Sequence, residues 1–164
     1  MVNNEHLPAI PHVYEVTLGE RLRHLVSPLA PGEVFEHGLD TEAVYGLLAL
    51  GVPGLDGMPP DHFQENPAFV RFLHETIADD VCGSAAIRAA AAVLASGRLP
   101  IPDERTPGEV FGSIEVRDGE PVPMSYEPSP DHRLYTAAGF FRLPEELALG
   151  LRRRMVERMM ELGS

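Results

Sequence analysis

Helical spacing of apolar residues is clearest at Phe69, Phe72, Leu73, Ile77 and Val81, on a segment that Asn66 and Pro67 open as cap and first-turn proline. The pattern predicts an amphipathic helix reaching about Cys82. Gly83 breaks it and Ser84 caps the next segment, where Ile87, Ala90, Ala91 and Leu94 share a face up to Gly97. Alanines on several sides of residues 84 to 96 permit close packing, which predicts that this helix sits at the centre of a bundle.

Weaker helical patterns lie on either side. Thr17-Leu18-Gly19-Glu20 reads as a capping box ahead of Leu22, Leu25 and Val26, predicting a short helix over about 18 to 26 with Val13 to Thr17 as a brief strand leading in. Pro28 to Gly38 reads as a loop. Asp40 or Thr41 then caps a helix carrying Val44, Leu47 and Leu48, which Gly51, Pro53, Gly54, Gly57, Pro59 and Pro60 stop. Downstream, Ser129-Pro130 reads as the opening of a short helical turn that Gly139 closes. Pro144, Glu145 and Glu146 begin a terminal helix with Leu147, Leu151, Met155, Met159 and Leu162 on one stripe and Gly163 as terminator. Met160 lies off that stripe, which implies either cover on two sides or an exposed apolar patch.

From Leu99 the period shortens to two. Val110 to Arg117, Asp118-Gly119 and Glu120 to Tyr126 form a hairpin signature in which Arg117 and Glu120 pair directly and Pro121 and Pro123 fall in non-bonded positions at a sheet edge. A lone hairpin is marginal, so it rests on helices or gains a third strand from 13 to 17 or 99 to 101. The expected fold is therefore α+β, a mostly helical single domain of about five helices with one antiparallel hairpin near 110 to 126 and a C-terminal helix. Residues 1 to 12, with two prolines and no period, read as an N-terminal arm, and 13 to 164 as one globular domain.

Composition narrows the chemistry. The 164 residues contain no lysine; all 13 basic side chains are arginines, which excludes a Walker A loop, a Schiff base and a Ser-Lys dyad. With 25 acids the formal charge is -12, disfavouring nucleic acid and anionic membranes as partners and favouring a basic partner or a merely soluble surface. No apolar run approaches a membrane span, and the N-terminus lacks the features of a secretory signal, so a cytoplasmic location is expected. Cys82 stands alone, near Asp79 and Asp80, and reads as a small hydrophobe and not a thiolate nucleophile.

No catalytic signature emerges, and neither a cofactor nor a metal site is expected. The seven histidines show no zinc spacing, Gly112-Ser113-Ile114 lacks the glycine of a nucleophile elbow, and Gly51, Gly54 and Gly57 precede prolines where a phosphate loop needs a helix. The stretch from Tyr126 to Leu143 concentrates aromatics and arginines, which carry much of the energy at protein interfaces. Tyr126, Arg133, Tyr135, Phe141 and Arg142 are the candidate partner-binding residues, Phe140 and Phe141 reading equally as core anchors of the last helix. The leading expectation is a non-enzymatic protein-interaction or assembly component of a larger bacterial-type complex, with a protein partner or self-association. The competing expectations are an acidic neutralising partner of the immunity or antitoxin kind, and a small hydrolase or metal-dependent enzyme that gathers two or more of His24, His62, His74 and His132 with carboxylates from separate segments.

Overall fold

The computed structural model describes residues 7, 8, 10–37, 40–52 and 54–162. It opens with a β-hairpin: the strand expected over 13 to 17 is β1 (His12–Leu18), but β2 (Arg21–Ser27) stands where a helix was expected, and the two pair along their whole length, from His12 against Ser27 to Leu18 against Arg21. Thr17-Leu18-Gly19-Glu20 satisfies a capping box, but it is equally a two-residue turn with glycine first. Gly19 at φ 66° adopts the conformation a type II′ turn requires. Long-range pairing of β2 on both edges settles the competition in favour of strand.

The stretch read as loop contains α1 (Pro31–His37), opened by proline at its first position and by Glu33, whose carboxylate accepts the Ala30 N–H. Asp40 caps as expected, accepting from the Glu42 N–H, but it caps only a 3-10 turn, Thr41–Ala43. The predicted helix is replaced by β3 (Gly46–Leu48), which pairs with β2 and with β4 (Phe63–Glu65) to give a first sheet in the order β1-β2-β3-β4. Gly46 explains this choice: a side chain there would collide with the Gln64 carbonyl and the Phe63 ring, so the bare backbone lies flat against β4.

Both mid-chain helices form as the spacing predicts. In α2 (Pro67–Asp80), Asn66 accepts from the Ala68 N–H and Phe69, Phe72, Leu73 and Ile77 are buried; in α3 (Ala85–Leu94), Ser84 accepts from the Ile87 N–H. The alanine-rich helix is peripheral, however, not central. Only Ile87 and Ala91 of α3 are buried and Val93 is 88% exposed, because alanines remove too little apolar area from water to compete with phenylalanine and leucine for the interior.

The second sheet is built around β6 (Val110–Arg117), with β5 (Gly97–Pro102) along one edge and two short strands, β7 (Glu120–Pro121) and β8 (Glu127–Pro128), along the other. The Asp118-Gly119 turn has both residues at positive φ, 53° and 76°, and places Arg117 opposite Glu120; the Val122 N–H then donates to the Glu115 carbonyl, so Pro121 occupies a non-bonded position. The second strand stops there. Chain between β7 and β8 leaves the ladder, with Met124 at φ 62° and fully exposed.

Where Ser129-Pro130 suggested a helical turn, the chain makes a small hairpin of β9 (Tyr135–Thr136) and β10 (Gly139–Phe140). The final helix, α4 (Glu145–Leu162), forms as expected and buries Leu147, Leu151, Met155 and Met159 against the core, leaving Met160 54% exposed. Gly38, the end of the expected loop, Pro53 and Gly163, expected as stops, and most of the arm over 1 to 12 lie outside the described residues, as does the Leu162 side chain. With four helices and antiparallel sheets of four, four and two strands among the described residues, the expectation of a mostly helical domain with one hairpin is incorrect. Helical stripes such as Leu18, Leu22 and Leu25 were really strand residues. No described helix is long and apolar enough to cross a membrane.

Candidate functional site

Two places gather chemistry. The first begins at Asp103, just after β5, whose side chain is wholly buried. One oxygen accepts the backbone N–H groups of Arg105 and Arg142, each at 3.0 Å; the other meets His132 Nε2 at 2.8 Å and the Arg105 guanidinium at 3.1 Å. Arg105, only 2% exposed in its side chain, donates further to both oxygens of Glu109 and to the carbonyls of Arg133, Leu134 and Gly139. The ring of His132 packs on Phe111 and stands edge-on to His74, centroids 6.5 Å apart. His74 Nδ1 lies 2.7 Å from the Tyr126 hydroxyl, which also reaches the Phe111 carbonyl.

Electrostatics follow from that geometry. Burial pushes the Asp103 carboxyl up, but the hydrogen bonds from His132, Arg142 and Arg105 and the charge of Arg105 outweigh it and hold the group below its ordinary value. Burial lowers His74 to about 4, reinforced by charge on His132, and burial raises the Tyr126 phenol. At neutral pH His74 is therefore neutral. The cluster has the parts of an acid-base site, a carboxylate orienting one histidine beside a second, yet the His132 side chain is 2% exposed and Asp103 is saturated with donors. Its bonds tie segment 132–142 to the turn after β5.

The structure brings together two of the four dispersed histidines, His74 and His132. His24 lies on β2, 3.8 Å from Glu15, and His62 ends the 3-10 turn before β4. Among the described residues no group of three or more His, Cys, Asp or Glu is placed to hold a metal ion. Of the five candidate partner-binding residues, Phe141 is 8% exposed and packs against Tyr45, Phe69 and Phe111, while Tyr135 is half-buried, stacks near Phe63 and Phe140 and donates its hydroxyl to the Met58 carbonyl. Tyr126 faces His74. Arg133 and Arg142 are exposed, Arg133 donating to the carbonyls of Pro130 and His132. Sequence reasoning missed Asp103 and Arg105; the available signal was the turn that Asp103 makes by accepting the N–H two residues on, between Pro102 and Pro107.

The second place is the first sheet. Its inner face carries Val26, Leu48 and Phe63, all in the core. Side chains alternate across a strand, so the opposite face carries Tyr14, Val16 and Leu18 from β1, Arg21, Arg23 and Leu25 from β2 and Leu47 from β3; Tyr14 pairs with Leu25, Val16 with Arg23, Leu18 with Arg21, Leu25 with Leu47 and Leu47 with Gln64. An outward face of an antiparallel sheet is ordinarily polar. Here it holds a groove of about 440 Å³ whose lining includes Val16, Leu18, Leu25, Val44 and Leu47, with Thr41, Glu65 and Asn66 among its polar residues. β1 borders this groove as an edge strand of the sheet. In a two-residue hairpin the flanking pair, Leu18 and Arg21, exchanges hydrogen bonds, so Tyr14 and Val16 also bond inward, and the N–H and C=O groups of Val13, Glu15 and Thr17 point away from the sheet. The Val26 carbonyl, bonded to the Tyr45 N–H on the β3 side, fits the same alternation.

Comparison of the chain with protein-family models, with curated proteins and with solved structures finds no match, so the arrangement of these two places is the ground for any functional reading.

Proposed function

We propose that this chain is a non-enzymatic assembly component that docks onto another polypeptide through the outer face and free edge of its first sheet. One observation carries the reading: an apolar groove lies directly beside a seven-residue edge strand whose outward donors and acceptors have no partner among the described residues. An added strand takes its affinity from main-chain hydrogen bonds and its specificity from pockets for alternate side chains. Both elements are present along β1. The buried Asp103 and His132 favour docking over catalysis as well, since their polar atoms are spent on holding loops together. A cytoplasmic setting belongs to this reading, because the single cysteine asks for no oxidising compartment.

The test is position-specific photo-crosslinking in the native host. A photoreactive residue at Val16 or Leu18 is expected to give a discrete adduct whose crosslinked peptide maps to one strand of one partner. The same probe at Arg153 or Glu157, on the exposed side of α4, is expected to give none. Equal yields at the two places, or no adduct at Val16 and Leu18, would overturn the assembly reading.

A further inference from the structure

We infer that the occupant of the β1 edge is a second copy of this chain, paired antiparallel about a two-fold axis at Val16 so that two four-stranded sheets join into one of eight strands. The inference rests on the docking reading above and names its partner. Three observations point to it.

Sheet edges are normally guarded, and in the two four-stranded sheets every edge but one is, among the described residues. β5 contains Pro100 and Pro102, the opposite edge of that sheet contains Pro121 and Pro128 and is broken between them, and β4 is three residues long and runs into Asn66-Pro67. β1 reads His-Val-Tyr-Glu-Val-Thr-Leu, with no proline, no lysine and one formally charged side chain. Nothing in it discourages a further strand.

Register makes the edge self-complementary. Outward hydrogen bonds from Val13, Glu15 and Thr17 allow antiparallel pairings centred on positions 14, 15 or 16. Centring on Glu15 sets two carboxylates face to face. Centring on Val16 sets Val16 against Val16 of the second copy and Tyr14 against Leu18 of the second copy, all on the groove face, while Glu15 meets Thr17. That register brings His12 toward Glu20 of the second copy, an opposite-charge pair when the imidazole is protonated. It supplies about four backbone hydrogen bonds, exchanged between Glu15 and Thr17 of each chain. It also continues each apolar groove into the other.

Charge completes the argument. Two copies of a chain with formal charge -12 repel each other over most of their surface. The β1–β2 hairpin adds nothing to that repulsion, since Glu15 and Glu20 are balanced by Arg21 and Arg23. Like-charged molecules meet there without added charge repulsion from the paired strands. Leu18, 51% exposed at the hairpin tip, extends the apolar surface available to the second copy.

The experiment uses the full chain. Mass by light scattering is expected to rise from one to two chains with concentration, and Thr17→Pro is expected to weaken dimerisation at least tenfold with an unchanged circular dichroism spectrum, since it removes an outward N–H that the β1–β2 ladder does not use. Single cysteines are then placed in a Cys82→Ala background. Val16→Cys is expected to form an interchain disulfide on mild oxidation, because directly opposed residues in a non-bonded pair lie about 4.5 Å apart, within disulfide reach; Tyr14→Cys is expected not to. A monomer up to about 0.1 mM, or a dimer that crosslinks at Tyr14→Cys and not at Val16→Cys, overturns the inference. A monomer that still gives a single foreign adduct at Val16 overturns only the second copy and leaves the docking reading standing; a monomer without any adduct overturns both.

Discussion

Replacing Asp103 with alanine tests whether the buried polar hub is a structural clamp. The carboxylate is wholly buried and accepts two backbone N–H groups, those of Arg105 and Arg142, together with His132 Nε2 and the Arg105 guanidinium. Each stranded backbone donor costs about 1–3 kcal/mol, and breaking a buried pair costs about 3–5 kcal/mol when the surviving charge is left bare. Arg105 is not left bare: Glu109 and three carbonyls remain, so most of the ionic loss is offset. The two N–H groups then dominate, and Asp103→Ala is expected to cost about 4 kcal/mol, a large part of the roughly 5–15 kcal/mol that holds a domain together. Asp103→Asn keeps an oxygen for both N–H groups and is expected to cost about 2 kcal/mol less than the alanine. Urea unfolding followed by circular dichroism at neutral pH measures both. An alanine cost below about 1 kcal/mol, or an asparagine as damaging as alanine, would refute the clamp. The acid limb supplies a sign: Asp103 is held below its ordinary pKa, so its contribution is present above the unfolded carboxylate range and is lost as pH falls through the folded value. Either variant should therefore flatten the loss of stability at low pH.

Three further outcomes follow from the geometry. His74 is lowered from 6.5 to about 4, so the unfolded chain takes up a proton first and stability falls as pH drops through that window; solvent screening of the partly exposed ring limits the fall to on the order of 1–2 kcal/mol, and His74→Gln is expected to remove it in urea titrations across the same range. Gly46→Ala forces a methyl into the Gln64 carbonyl and the Phe63 ring and is expected to cost about 3 kcal/mol by thermal melting, since overpacking here must move backbone. Met124→Gly relieves a positive φ of 62° at a fully exposed side chain and is expected to stabilise by about 1 kcal/mol or less, with no change in spectrum.

Helices with their own caps were legible in the sequence. Asn66-Pro67 and Ser84 mark starts that local hydrogen bonding sets, Pro144-Glu145-Glu146 one that first-turn proline and acids favour, and α2, α3 and α4 follow them. The Asp118-Gly119 hairpin was legible for the same reason, its turn being encoded in two adjacent residues. The first sheet was not. In β2, Leu25 faces outward while Leu22 and Val26 face the other way, so apolar residues fall on both faces, and Leu18, Leu22, Leu25 and Val26 together imitate a helical stripe. The hub was hidden differently: Asp103, Arg105 and His132 come from separate segments, and only tertiary contact shows that the acid is buried.

The absence of lysine also has a structural meaning in these contacts. Arg105 uses all three guanidinium nitrogens, gripping both oxygens of Glu109 and the carbonyls of Arg133, Leu134 and Gly139 while pairing with Asp103; an ammonium with three donors on one atom cannot span those acceptors. Arg98 likewise joins the Ser113 hydroxyl and carbonyl to the Ser125 carbonyl, stitching β5 and the excursion after β7 onto β6. Arg152, Arg154 and Arg158 fasten α4 to Glu33, to Asp79 and Asp80, and to Glu42. Cationic groups are thus spent largely on holding elements together, which leaves the molecule's acidic excess facing water. Against that background, the β1–β2 hairpin, with Glu15 and Glu20 balanced by Arg21 and Arg23, offers a like-charged second copy a surface without net charge.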